Sequence, residues 1–393
     1  MVLLSVEYLP FIRGGIGTFV KNLAIGLRRE GVKVTVISGY PVSSHAKCLE
    51  INEEKDPELD VIRYPYFDIH PKGAIFQLLN LKKIYETVKS INPDVVHGQG
   101  ASMFPASIKL KNLAPLIVTF HSSPKTDKTM GVHSLLRGGS FDDFSTNVLG
   151  YPAWSFFFRR ELCDSTMAVA VSRNLMSELL EEMGETYREK ICEIHNGIDI
   201  ETLDREYSSG GDIVEETNDA ILFAGRMVWV KGALNLIKIA HLLQKEKPDL
   251  KLIVHGDGPL FRIVKRKVQD FGLTNVELKG FASGAPFMRS MRRSKFVIIP
   301  SYHEACPMIL LESMCLGKIP VMFDLPFSNE FTENGKYGII AKDTKDMVEQ
   351  LRLAYMKSDL KSYSDKVRDF ARRKYNIKNM SLKYLNLYKA LHD

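Results

Sequence analysis

The chain alternates short apolar runs with amphipathic segments almost from end to end, and this alternation restricts the fold more than any single residue. VLLSVEY (2–8), VKVTVIS (32–38), DVVHG (94–98), PLIVTFH (115–121) and TMAVAVS (166–172) form a first series, with helical spacing between them over Thr18–Arg29 and near Leu78–Ser90. A second series follows in AILFAGR (220–226), KLIVHGDG (251–258), VELKG (276–280), KFVIIPS (295–301) and IPVMF (319–323). Runs that are apolar at consecutive positions belong to strands covered on both faces, and strands separated by helices pair in parallel. The pattern predicts an α/β protein with two doubly wound, Rossmann-like domains. Asp199–Asp219 is polar and contains SSGGD, the composition of a joint, which divides the chain into domains over 1–200 and 201–375. Ligands of such sheets bind beyond the C-terminal strand ends. His97, His121, Ser172, Gly225, Gly256 and Ser301 are expected at or just past such ends.

Length and charge set further bounds. With 393 residues, 45% hydrophobic and 25% charged, the chain suffices for about two globular domains. No apolar run approaches the roughly 18 residues that cross a bilayer, and Met1–Leu4 passes directly into polar residues without a signal-peptide core, so a cytoplasmic location is expected. Cys48, Cys163, Cys192, Cys306 and Cys315 are scattered and odd in number, with no Cys-x-x-Cys, which supports neither a disulfide framework nor a zinc site. The net charge of +6 is uneven, with 22 basic and 23 acidic residues in 1–200 against 31 and 24 in 201–393. Its clusters, such as Lys265-Arg266-Lys267 and Arg372-Arg373-Lys374, lack aromatic interleaving or a recognition module. They read as solvated helix faces, and no nucleic-acid partner is expected.

The stretch PSYHEACPMILLESMCLGKIPV (300–321) carries the densest chemistry. KFVIIP before it reads as a buried strand, and good helix formers begin at Met308, so the order is strand, loop, helix. Glu304 falls in the loop and Glu312 about a turn into the helix. The amides of Cys306, Met308 and Ile309 fall at the helix start, where N–H groups without intrahelical partners attract phosphate. Pro307 has no N–H to offer. Ionised carboxylates on either side could accept hydrogen bonds from sugar hydroxyls, although glutamates at a helix start also occur for dipole reasons alone.

Other residues admit both a chemical and a structural reading. The turn holding Gly14, Gly15 and Gly17 would let a backbone approach a diphosphate, or is a plain turn before a helix. It is no dinucleotide fingerprint, because Ile37-Ser38-Gly39-Tyr40 ends the second strand without a ribose-binding acid. No Walker A loop is present. Arg226 and Lys231 straddle a strand-to-helix turn where two cations could converge on one diphosphate, while Trp229 between them reads as packing. His121 closes a strand either as a satisfied polar end or as a catalyst; His97 and His303 keep the structural reading. Leu149–Cys163 concentrates Tyr151, Trp154, Phe156, Phe157 and Phe158 before Arg159-Arg160. This segment reads as buried helix or, alternatively, as a basic-aromatic contact with a membrane.

Glu304, seven residues, Glu312, then a small-residue helix ending Gly317-Lys318-Ile319-Pro320-Val321, resembles the retaining glycosyltransferases of family 4, group 1. So do the early glycines, His121, Asn196-Gly197-Ile198-Asp199, Gly225-Arg226 with Lys231-Gly232, and Gly256-Asp257-Gly258-Pro259, all in family order. One departure is Ala305-Cys306-Pro307-Met308, where many members have Gly-Phe-Gly or Pro-Phe-Gly. The resemblance implies the GT-B architecture, two Rossmann-like domains facing across a cleft, with the last helix (about 376–393) returning to the N-terminal domain. It implies a nucleotide diphosphate sugar as donor and a glycan or lipid-linked acceptor. Glu304 would hold the donor sugar, Glu312 the ribose, Arg226 and Lys231 the diphosphate, Gly15 a phosphate oxygen, and His121 the sugar or the leaving-phosphate side, with Gly14 and Gly256 nearby. No Asp-x-Asp is present, and Asp142-Asp143 is adjacent rather than spaced, so a reaction without metal or other cofactor is expected. Peripheral contact with the inner face of the cell membrane is a further expectation. A sugar-nucleotide epimerase and a catalytically silent nucleotide-binding subunit remain as alternatives.

Overall fold

The computed structural model describes residues 1–12, 14–42, 49–50, 59–67, 72–100, 102–209, 220–247, 249–356 and 358–391. The chain divides into two compact units. The first comprises Met1–Thr129, Ser145–Gly197 and Ile377–Asp393; the second comprises Met130–Phe144 and Ile198–Asn376.

The first unit is built on β1 (Val2–Leu4), β2 (Thr35–Pro41), β3 (Asp60–Tyr66), β4 (Val96–Gln99), β5 (Leu116–Phe120), β6 (Met167–Ala170) and β7 (Ile191–Glu193). They pair in the order β3-β2-β1-β4-β5-β6-β7, all parallel. Every residue of β5 (LIVTF) is buried, which is why the run is apolar at successive positions rather than at alternate ones. β3 contains Pro65 and lies at the sheet edge, where a missing N–H is tolerated. The terminal helix Ile377–Lys389 turns Ile377, Met380, Tyr384 and Tyr388 into the same core as Leu3, Phe19 and Leu23. Those four positions recur at helical spacing along one face.

The second unit repeats the plan with β8 (Ala220–Ala224), β9 (Lys251–His255), β10 (Val276–Gly280), β11 (Ser294–Ile299), β12 (Ile319–Phe323) and β13 (Ile339–Ala341), paired in parallel as β10-β9-β8-β11-β12-β13. Side chains alternate between two cores on opposite faces of the sheet. Ile221 and Phe223 enter one, Ala220 and Leu222 the other.

Two expectations need correction. Asp199–Asp219 is not all joint, because Ile200–Ser209 is a helix with Leu203 buried; residues 210–219 lie outside the described residues. The cut near 200 also does not partition the chain cleanly, since Met130–Phe144 groups with the second unit. Among the described residues, no helix is long and apolar enough to cross a membrane.

Candidate active site

Each sheet reverses its strand order beside its first strand, and in parallel sheets the crevice outside the carboxyl ends at that point is the ligand site. In the second unit the reversal falls between β8 and β11. β8 runs into Gly225 and Arg226, and β11 into Pro300, Ser301 and Glu304. Lys231 closes the short 3-10 turn Trp229–Lys231, and Gly232 after it has φ +73°. A Cβ on Gly232 would stand 2.0 Å from the Pro300 carbonyl oxygen, so only glycine lets the two loops pass this closely.

That passage brings Lys231 Nζ to 2.5 Å from Glu304 Oε2. Ser301 Oγ donates to Oε1 at 2.8 Å. Glu304 is 7% exposed, and a carboxylate so placed needs both partners, since an unpaired buried charge is costly. Behind the pair, Trp229 stacks on Tyr302 with ring centroids 4.3 Å apart and planes at 13°. Trp229 is 3% exposed and is therefore packing. Arg226 is exposed, and its side chain joins no ion pair or hydrogen bond among the described residues. Of the two expected cations, Lys231 alone meets Glu304.

The helix after this loop runs from Met308 to Cys315 with Pro307 as its cap. Leu310 N–H bonds back to Pro307 O at 3.0 Å, which leaves Met308 and Ile309 in the two opening positions. Cys306 does not belong to the helix start as expected; it sits before the cap. Glu312 is half-buried in the second turn. Gly256 follows β9 with φ +141°, and a Cβ there would lie 1.9 Å from the Gly225 carbonyl oxygen. Its glycine is demanded by the fold itself.

In the first unit the reversal lies between β1 and β4. Gly14 caps the helix Gly15–Arg29 with extended backbone, φ −169°, and a Cβ added to it would meet nothing within 4 Å. Among the described residues that space is open. His121 follows β5, its ring edge-on to Phe19 of that helix at a centroid distance of 4.9 Å, with Nε2 2.9 Å from Gln99 Oε1. Burial pushes its pKa down to about 3, so the ring is neutral at physiological pH.

His97 is not at a strand end. It is inside β4, wholly buried, with Nδ1 2.7 Å from Tyr388 OH and Nε2 2.7 Å from Thr119 Oγ1. Asp142 and Asp143 belong to the short helix Phe141–Phe144, and their side chains lie outside the described residues. The aromatic segment is neither wholly core nor wholly surface. In the helix Tyr151–Asp164, Phe158 is buried against Phe120, while Phe156 is 56% exposed.

Residues 210–374 match Glycosyl transferases group 1, and residues 13–202 match Glycosyltransferase Family 4. This chain is a group 1 glycosyltransferase of family 4 type. The glycosyltransferase is 25% identical over 329 residues to an uncharacterised glycosyltransferase of Methanocaldococcus jannaschii, covering 81% of this chain and 78% of that protein. It is 24% identical over 362 residues to a glycogen synthase of Mycobacterium tuberculosis, covering 86% and 81%. Its fold is similar to that of HepE from Anabaena, solved in complex with UDP and glucose, with a TM-score of 0.71 at 15% identity over 99% of this chain and 98% of HepE. Both sheets of the glycosyltransferase are therefore the paired Rossmann-like sheets of the GT-B architecture.

Sequence reasoning singled out neither Ser301 as a partner of Glu304 nor Gln99 as a partner of His121. Both are uncharged residues at strand ends. Ser301 was legible by position alone; Gln99, without charge or motif, carried no signal.

Proposed function

We propose that this hexosyltransferase transfers sugar with retention of anomeric configuration, without a metal, to a hydroxyl of a glycan, glycolipid or similar acceptor. The donor is a sugar nucleotide. The observation that carries the reading is the Lys231–Glu304 pair at the β8/β11 reversal, where a cation and a carboxylate stand side by side beyond the strand ends. A nucleotide diphosphate sugar offers the matching groups, phosphate oxygens for Lys231 and sugar hydroxyls for Glu304. HepE, solved with UDP and glucose, is a GT-B neighbour that binds such groups.

Departure of a nucleoside diphosphate builds negative charge on the leaving oxygen. Lys231 and Arg226 would stabilise it directly, in the role that a metal fills elsewhere. The helix Met308–Cys315 would add its opening amides at Met308 and Ile309, with Cys306 and Gly256 close along the chain and strand ends. Glu312 would bind the ribose. Of the residues of the first unit, Gly15 would offer its amide to a phosphate oxygen, and His121 would contact the sugar. Glu304 is already engaged by Lys231 and Ser301, which makes it a poor nucleophile and favours same-face substitution guided by the leaving phosphate.

Exposed Phe156 and Leu149, 56% and 65% accessible, beside the exposed Arg159 support a second element of the proposal, peripheral contact with a membrane carrying the acceptor. Incubation with a panel of nucleotide sugars tests the whole reading. Free nucleoside diphosphate with an α-linked product from an α-linked donor is expected. An inverted product removes retention, a converted sugar nucleotide means an epimerase, and binding alone means a silent subunit.

A further inference from the structure

We propose that Gln99 fixes the proton of His121 on Nε2, so that Nδ1 is presented as a hydrogen-bond acceptor to a hydroxyl of the sugar substrate. The proposal rests on the reading of His121 as a residue that touches substrate. It decides a question that sequence left open, whether His121 faces a sugar hydroxyl or the leaving phosphate.

The two residues end adjacent strands. Gln99 is the last residue of β4, His121 the first after β5, and the parallel register sets Gln99 opposite Thr119. Side chains two residues apart share a face of a sheet, so His97 with Gln99 and Thr119 with His121 make two successive polar rungs. The inner rung joins His97 Nε2 to Thr119 Oγ1 at 2.7 Å and the outer joins Gln99 Oε1 to His121 Nε2 at 2.9 Å. Tyr388 OH takes the second nitrogen of His97 at 2.7 Å, and Tyr384 OH lies 2.9 Å from Thr119 Oγ1. Both ring nitrogens of His97 are thereby occupied inside the core, and its role is structural.

The outer rung is different. His121 has one nitrogen on Gln99, and its other nitrogen, Nδ1, has no partner among the described residues. A carbonyl oxygen only accepts, so the nitrogen facing it carries the hydrogen, and a neutral imidazole then has its lone pair on the other nitrogen. Gln99 is 1% exposed, held in the strand at the point where the sheet reverses. Its Nε2 is buried without a hydrogen-bond partner among the described residues, so the contact with His121 is what turns Oε1 towards the ring. The ring of His121 is neutral at physiological pH because burial holds its pKa near 3. A neutral nitrogen with a lone pair attracts an O–H and repels a phosphate oxygen, which has no hydrogen to give. Gln99 is thus a positioning residue that acts through His121.

The proton position is read directly by long-range proton–nitrogen correlation of protein labelled with 15N-histidine, without substrate, the His121 signal being assigned by its loss in His121→Ala. The expected spectrum of the unsubstituted protein has a protonated Nε2 and an unprotonated Nδ1. A protonated Nδ1 overturns the proposal without any variant. Gln99→Met keeps volume but removes the carbonyl; the His121 signals should then average between tautomers while the melting midpoint stays within a few degrees. Sugar transfer should fall by about three- to tenfold, the effect of one hydrogen bond, and Gln99→Met should cost nothing further in a His121→Ala background. An equal loss in both backgrounds would show that Gln99 acts through something other than His121. If the tautomer is as expected but His121→Ala transfers sugar normally, Gln99 sets the proton and the substrate contact is wrong.

Discussion

Lys231 Nζ lies 2.5 Å from Glu304 Oε2, although 73 residues separate the two in sequence. They meet because Gly232 lets its loop pass against Pro300. Without donor the pair neutralises itself, and a bound donor would have to compete for both groups. Lys231→Ala leaves Glu304, 7% exposed, with the hydrogen bond from Ser301. It should lower stability by about 1–3 kcal/mol, below the full cost of breaking a buried pair because Lys231 is partly exposed. Replacing both, as Lys231→Met with Glu304→Gln, should recover part of that loss in urea denaturation. No recovery would mean that the pair contributes little to the unliganded fold.

The two glutamates should separate in binding. Glu312→Ala should weaken nucleotide sugar and free nucleoside diphosphate alike, by about 1.5–3 kcal/mol for a charged acceptor, because a ribose is common to both. Glu304→Ala should cut turnover strongly and leave the sugar-free nucleotide nearly unaffected. Titration calorimetry with each ligand distinguishes them, and equal losses of diphosphate affinity would remove the distinction between a sugar contact and a ribose contact.

Arg226→Ala should lower the rate by roughly 10² or more, with the Arg226/Lys231 double variant falling short of the product of the singles, since both act on one leaving group. Arg226 is exposed and unpaired among the described residues, so its loss should leave the melting midpoint unchanged. Chelator should not alter the rate. Activity that disappears with EDTA and returns with magnesium would show that a metal ion does the work assigned to the cations.

His97 gives the fold a pH dependence of known sign. Burial holds its pKa near 3, against about 6.5 in an unfolded chain. Between those values the unfolded state binds one more proton, so stability is lost as pH is lowered through this window, by about 1.4 kcal/mol per pH unit, and is insensitive to this group above it. Urea midpoints at pH 7.5, 6 and 5 should show the loss. His97→Gln should start less stable at pH 7.5, because Tyr388 and Thr119 lose a partner, but should decline less steeply.

Membrane contact should be visible in one tryptophan. Trp154 lies on the helix whose Phe156 is exposed, and Trp229 is packed on Tyr302. With Trp229→Phe to remove the second signal, Trp154 emission should respond to anionic vesicles. The response should weaken with salt, because Arg159 and Arg160 supply screened attraction. An unchanged spectrum together with normal transfer to a soluble acceptor would place the aromatic helix outside any membrane contact.

The sequence by itself determined the two parallel sheets. Runs such as LIVTF (116–120) and IPVMF (319–323) are buried at every position, and that double coverage is what makes them continuously apolar and therefore readable. The same pattern of strands and helices put Glu304 in a loop after a strand, Glu312 about a turn into a helix, Lys231 in a strand-to-helix turn and His121 at the end of a strand. The tertiary structure alone decided other features. β3, with Pro65 and charged neighbours, does not look like a strand until it lies at a sheet edge. β7 and β13 are three residues long, too short to show a period. The helix Ile200–Ser209 hides in a polar stretch because only one side of it is covered. The assignment of Met130–Phe144 to the second unit, the Lys231–Glu304 pair and the Gln99–His121 contact all depend on segments distant in sequence. Local pattern reports the period and burial of one segment, whereas such pairings follow from which loops are brought together once the sheets have formed.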